Sequence, residues 1–189
     1  ISEWGGIMKD NELWLIEQSR KGNVDAFEEL IRDYKKSAYN IALRFLRNVE
    51  DAEDVSQEAL IKVFKSIKNF NMQSTFKVWL YRIVVNACLD FKRKKSIDFY
   101  PIDELMNFTG SNDDNPDDMV DKNYTSEIVN MSINKLEDDF KTIIILRDIQ
   151  GFSYNEISEI LSCNLGTVKS RISRARKNLK DIIDAELYR

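Results

Sequence analysis

An all-α fold of two small helical domains is the class this sequence predicts, and three observations point there. Apolar residues recur at helical spacing in every strongly patterned segment, no stretch combines strand alternation with hairpin turn residues, and both prolines, Pro101 and Pro116, fall in one acidic interval between two helical blocks. With 189 residues, 43% hydrophobic and 32% charged, the chain can bury a core in each block. No apolar run approaches the roughly 18 residues of a spanning helix, and no secretory pattern is present, so a cytoplasmic protein without membrane insertion is expected.

The residues before Met8, "ISEWGGI" (1–7), are expected to be a remnant foreign to the fold. The first domain then runs over 8–95. Asp10 to Arg20 reads as a short helix stopped by Gly22, and Asp25 to Leu46 as a longer one with Phe27, Leu30, Ile31, Tyr34, Ala38, Ile41, Ala42 and Phe45 on one face. Glu50 to Asn69 follows, with Val55, Ala59, Val63, Phe64 and Ile67 inward. "NMQST" interrupts, and Phe76 to Lys95 resumes with Phe76, Trp79, Leu80, Ile83, Val84, Ala87 and Phe91 as its stripe.

From 96 to 124 the character changes to a flexible acidic linker. Residues 1–95 hold 17 basic and 14 acidic side chains, 96–127 hold 1 and 9, and 128–189 hold 10 and 9, so the net charge of -4 arises between the domains. The aspartates of "GSNDDNPDDMVD" do not make a calcium loop, because the required glycine is missing and Pro116 stands among the would-be ligands. The second domain, 125–189, contains helical stretches at Ile128 to Leu136, Phe140 to Arg147, Tyr154 to Leu161 and Leu165 to Ile183.

Within it, "GFSYNEISEILSCNLGTVKSRISRAR" has the grammar of a helix-turn-helix. Ser153 and Glu156 have capping-box spacing, "SCN" is a short turn, and Asn164 can cap the second helix. At about 100° per residue, residues 172, 175 and 179 fall within about 40° of Val168, while Thr167, Ser170, Ser173, Arg174 and Lys177 project the opposite way. Arg174, Arg176, Lys177 and Lys180 continue that basic side with no acid before Asp181. Short hydroxyls near the N-terminus and longer cations behind suit a recognition helix, in which the former approach base edges and the latter reach phosphates. A solvated basic face of an ordinary bundle is the alternative.

Catalysis is not expected. The chain has no histidine, so Ser-His and Cys-His pairs are ruled out, and it has neither a phosphate-cradling glycine loop nor a nucleophile elbow. Its two cysteines, Cys88 and Cys163, provide no disulfide framework or zinc site and read as small buried or half-buried side chains. No metal and no cofactor is expected.

Taken together, "DAFEELIRDY", "DAEDVSQEALIKVF", "FKVWLYRIVVNACLDFKRKK", "FSYNEISEIL" and "LGTVKSRISRARKNL" resemble bacterial sigma factors of the extracytoplasmic-function type, the compact two-domain class of the sigma-70 family. The resemblance implies a sigma2-like domain that binds core RNA polymerase and the minus ten promoter element, and a sigma4-like domain that binds the minus thirty-five element. Asp54, Gln57 and Glu58, which share one helix face with Ile61, are implied as contacts to the polymerase clamp helices. The loop holding Asn71, Met72, Gln73 and Ser74 corresponds to the one that captures a flipped base, and Lys77, Arg82, Asn86, Lys92 and Arg93 would follow the separated strand. Trp79 could be a wedge against the last paired base, although its place in the apolar stripe favours core.

In the second domain Thr167, Lys169, Ser170, Arg171, Arg174 and Lys177 are implied contacts to the minus thirty-five DNA. Ser158 stands where the family usually has alanine and Ser162 where a turn glycine is common, so a strained turn is expected. The family also implies an anti-sigma partner, and a monomer when free. Three other readings remain at this stage: a stand-alone helix-turn-helix transcriptional regulator, a purely protein-binding helical module and, most distantly, an enzyme.

Overall fold

The computed structural model describes residues 10–98 and 119–188. They form helices and connecting turns, with no strand among the described residues, in two compact units. The linker expected between them lies mostly outside the described residues, although the last helix of the first unit, α4 (Phe76–Asp98), runs into it and the first helix of the second, α5 (Met119–Lys135), already begins at Met119. The first turns of α5, "MVDKNYTSE", carry no apolar stripe by which sequence periodicity could have announced them.

In the first unit α1 (Asp10–Arg20) buries Leu15 and Ile16. It stops at Gly22, whose φ of 90° is a left-handed conformation that glycine adopts without penalty, and the Asn23 N–H closes the turn on the Gln18 carbonyl at 3.1 Å. Asn23 then caps α2 (Val24–Leu46), its Oδ1 accepting from the Ala26 N–H, so the helix starts one residue earlier than its stripe suggests. Asn48 does the same for α3 (Val49–Ser66), accepting from the Asp51 N–H at 2.8 Å. A 3-10 turn over Ile67–Asn69 replaces the expected last turn of α3, and the Arg20 guanidinium donates to the Lys68 carbonyl there.

Helix α4 (Phe76–Asp98) begins at Thr75, whose hydroxyl oxygen accepts from the Val78 N–H. Phe76, Leu80, Val84 and Ala87 are buried as their stripe predicts, but so are Val78, Tyr81, Val85 and Cys88. The helix is wrapped on most of its circumference by α2 and α3, and a single-stripe reading therefore captures only half of its contacts. Burial pushes the Cys88 thiol up to about 12, which removes it as a nucleophile at neutral pH. Phe76 meets Tyr34, Phe70 and Trp79 at ring separations of 5.7, 5.9 and 5.9 Å. Tyr34, expected in the core, is only half-buried and sends its hydroxyl to Glu12.

The second unit comprises α5 (Met119–Lys135), α6 (Asp138–Ile144), a π-helical turn (Ile145–Ile149), α7 (Tyr154–Ile160) and α8 (Leu165–Leu187). Ile143, Ile144, Ile145 and Leu146 are all within 1% of complete burial, so this element is surrounded by core on every side. The π turn is defined by the Gln150 N–H donating to the Ile145 carbonyl five residues back, and Gly151 at φ 73° lets the Phe152 N–H reach Leu146. The capping box is formed in both directions: the Ser153 N–H donates to Glu156 at 2.7 Å, and the Glu156 N–H to Ser153 Oγ at 3.2 Å.

The strain expected in the "SCN" turn sits on Ser162, at φ 50°. Ser158 compensates nearby, its hydroxyl donating to the Cys163 carbonyl at 2.7 Å. Ser162→Gly should therefore stabilise this unit by about 0.5 kcal/mol, the relief of the left-handed serine exceeding the greater chain entropy of glycine. A rise in melting temperature of roughly 2–4 °C is expected; a fall would mean that the serine side chain contributes a contact worth more than the strain.

Candidate nucleic-acid interface

Helix α8 is divided along its length. Val168, Ile172 and Ala175 are buried, while Lys169, Ser170, Ser173, Arg174, Lys177 and Lys180 are exposed. Asn164 starts the helix by accepting from both the Thr167 N–H at 2.8 Å and the Thr167 hydroxyl at 2.9 Å. The Thr167 hydroxyl thus completes the cap as well as lying at the presenting end, and Ser170 donates to the Thr167 carbonyl. Two further arginines carry aspartate partners, and of these Arg176 is as exposed as the other cations. Arg171 is half-exposed and pairs with Asp139 at 3.3 Å, and Arg176 is turned back onto Asp148.

In the first unit Asp54, Gln57 and Glu58 are exposed on α3, opposite Ala52, Val55, Ala59 and Val63, and Ile61 beside them is 52% exposed. Lys62 donates to Glu58 at 2.9 Å and holds its carboxyl below the usual carboxylate range. The face is therefore acidic and polar with one uncovered aliphatic side chain, a charge pattern that a basic partner surface would complement.

The loop over 71–75 rests on an aromatic base. Phe70 is buried with its ring 5.1 Å from that of half-buried Trp79, so Trp79 is fixed in packing while retaining an accessible edge. Asn71 and Gln73 are exposed, Ser74 is half-exposed, and Met72 is half-buried with φ 58°. The Gln73 N–H donates to Asn71 Oδ1, giving the loop a defined local turn.

Beside it, a groove of about 430 Å³ runs between α3 and α4, floored by Ile83 and lined by Lys62, Lys65, Asn69, Asn86 and Asp90. Asn86 was expected at a strand-binding site; Lys62, Lys65 and Asn69 were not. Their spacing of three and four along α3 and its 3-10 extension was legible in the sequence as a polar stripe. Lys77 is exposed at the start of α4 and Arg82 half-buried one turn on. Lys92 and Arg93 lie about 24 Å along the axis from the start of α4. Arg93 pairs with Asp90 at 3.1 Å, and Lys95 reaches Asp51 at 2.7 Å while lying over the Phe91 ring. The loop, the groove and the basic end of α4 thus form successive stations along one helix rather than a single pocket.

Family models for Sigma-70 region 2 and Sigma-70 region 4 match residues 30–97 and 126–179 respectively. The chain is 38% identical over 173 residues to the ECF RNA polymerase sigma factor SigW of Bacillus subtilis, covering 87% of this chain and 92% of that protein. It is 33% identical over 184 residues to the ECF RNA polymerase sigma-E factor of Escherichia coli, covering 93% and 95%. Among solved structures, the sigma factor RpoE of Bartonella quintana in complex with the anti-sigma factor NepR superposes with a TM-score of 0.70 at 26% identity, over 85% of this chain and 98% of that one. CnrH in complex with the cytosolic domain of CnrY shares the fold, with a TM-score of 0.68 at 23% identity over 93% of this chain and 99% of that one.

Proposed function

Because the chain belongs to the extracytoplasmic-function class of the sigma-70 family and is an RNA polymerase sigma factor, we propose a division of its work between the two units. The first unit docks on core polymerase through Asp54, Gln57 and Glu58. Its loop over Asn71, Met72, Gln73 and Ser74 receives a base unstacked from the minus ten element, and the groove at Asn86, with Lys62 and Lys65, guides the separated strand. Lys77, Arg82, Lys92 and Arg93 extend that track by phosphate contact. The second unit reads the minus thirty-five duplex with Thr167, Lys169, Ser170, Arg174 and Lys177, with Arg171 at the edge of this face.

The observation that carries this reading is the division of α8. Its first 16 residues contain no acid, its apolar stripe is buried, and its outer side chains grade from hydroxyls to long cations. No chemistry is asked of the chain itself: it brings polymerase to a promoter, stabilises the opened strands and is released. Matches to both sigma regions in one chain favour this over a stand-alone helix-turn-helix regulator, which has no need of the first unit's polymerase face. By analogy with the RpoE–NepR complex, an anti-sigma factor occludes these surfaces until a signal frees the protein, which then acts as a monomer where the polymerase is.

The test is co-migration with bacterial core RNA polymerase and run-off transcription from DNA upstream of the protein's own gene. Transcription that depends on the added protein is expected. Binding to that DNA without any binding to core would establish the stand-alone regulator instead. For the second unit, Arg174→Ala should weaken binding to upstream-element DNA and reduce the magnitude of its logarithmic salt slope by about 0.9, the loss of one phosphate contact. An unchanged slope would exclude Arg174 from phosphate binding.

A further inference from the structure

The six cations of α8 between 169 and 180 are not equivalent. Measured from Val168 at about 100° per residue, Arg171 and Arg176 lie about 60° and 80° to either side of the buried stripe, whereas Arg174 and Lys177 lie about 120° and 180° away. The flanking two are the ones with aspartate partners. Asp139 receives Arg171 at 3.3 Å, and Asp148 receives Arg176 through both carboxylate oxygens, Oδ2 from Nε at 3.2 Å and Oδ1 from Nη2 at 2.5 Å. The second pair is a two-point fork, which fixes orientation as a single contact does not.

Asp148 owes its position to the π turn over Ile145–Ile149, where the widened coil carries Arg147 and Asp148 together beside a completely buried Ile145 and Leu146. The two neighbours grip the two helices of the motif. Arg147 donates to the Phe152 carbonyl at 2.7 Å and lies 5.0 Å above the Tyr154 ring at the start of α7, while Asp148 holds α8 through Arg176.

We infer that Asp148 is a positioning residue for the recognition helix: it withdraws the Arg176 guanidinium from the DNA backbone and so limits sequence-independent attraction without reducing the cations that face outward. The physical motive is that phosphate contacts add affinity for every sequence alike, whereas discrimination comes from base contacts. The pair is exposed, with the Arg176 side chain 49% accessible, so it is the two-point fork onto Asp148 rather than burial that turns this cation along the protein surface and lowers its share in non-specific binding. This inference rests on the reading that the outer face of α8 meets duplex DNA.

The experiment measures binding of the full chain to a mixed-sequence DNA duplex across a salt series, for the wild type, Asp148→Asn, Arg176→Ala and the double variant. Asp148→Asn should steepen the logarithmic salt slope by about 0.9 and bind about tenfold more tightly at low salt, because one additional cation becomes available to phosphate. Arg176→Ala should keep the wild-type slope, and the double variant should return to it. A bracing role alone would weaken binding in Asp148→Asn without steepening the slope. Equal slopes in wild type and Asp148→Asn, or a shallower slope in Arg176→Ala, would overturn the inference while leaving DNA binding by α8 intact. If Asp148→Asn does not fold, Arg176→Ala decides alone: an unchanged slope supports the inference and a shallower one ends it. Absence of any salt-dependent duplex binding by the wild type would remove the DNA-facing reading and this inference with it.

Discussion

Phe76→Ala should cost the first unit about 3–5 kcal/mol, the range for truncating a buried aromatic side chain in a core that cannot fully collapse. Phe76 is 0% exposed, and its ring touches Tyr34 of α2, Phe70 at the end of the 3-10 turn, and Trp79 of its own helix. The deletion would therefore loosen α2, the base of the 71–75 loop and the first turn of α4 together. For a unit of this size the melting temperature should fall by roughly 12 °C or more. Because total stability of a small domain is about 5–15 kcal/mol, this removes a large share of it, and polymerase binding should weaken as the unit approaches its unfolding temperature. A shift of only 1 or 2 °C would show that the aromatic cluster is peripheral and that the α4 contacts at Leu80, Val84 and Val85 hold the unit without it.

Asp54→Ala combined with Gln57→Ala tests function with little burden on folding. Both side chains are exposed on α3 and neither contributes to the buried set of Ala52, Val55, Ser56, Ala59 and Val63, so the melting temperature should stay within about 4 °C of wild type. Affinity for core polymerase should fall by about 2 kcal/mol or more, roughly thirtyfold, as expected when interface side chains near a hot spot are truncated. Binding of upstream duplex through α8 should be unaltered. Full retention of core affinity would retire the polymerase role of this face. Loss of duplex binding as well would mean that the substitutions had disturbed more than a surface. Glu58 is left in place deliberately, since its pairing with Lys62 makes its truncation change two surface charges at once.

The two variants also mark how legibility varied along the chain. The aromatic and aliphatic stripe from Phe76 to Ala87 was visible as a helical period, and the exposed face of Asp54, Gln57 and Glu58 was visible as its complement on α3. The groove beside Asn86 was not, because half its lining comes from α3 and half from α4, and neither helix alone specifies how they meet. Strain at Ser162 could be anticipated from the absence of glycine in a tight turn, but the bond from the Ser158 hydroxyl to the Cys163 carbonyl depends on how the turn folds back over the end of α7.

By itself the sequence determined where most of the helices lie and how they are capped, though not the start of α5 or the second buried face of α4. Asn23, Asn48 and Asn164 each cap a helix, and Ser153 with Glu156 forms its box, because these interactions join residues three apart and their geometry follows from the helix alone. Only the tertiary structure decided which side chains are spoken for: that α4 is buried on a second face, that a π turn interrupts the end of α6, and that Arg176 belongs to Asp148, 28 residues away. A cation's charge is written in its identity, but its freedom to meet phosphate depends on what the rest of the chain folds against it. That dependence is long-range and has no period to read.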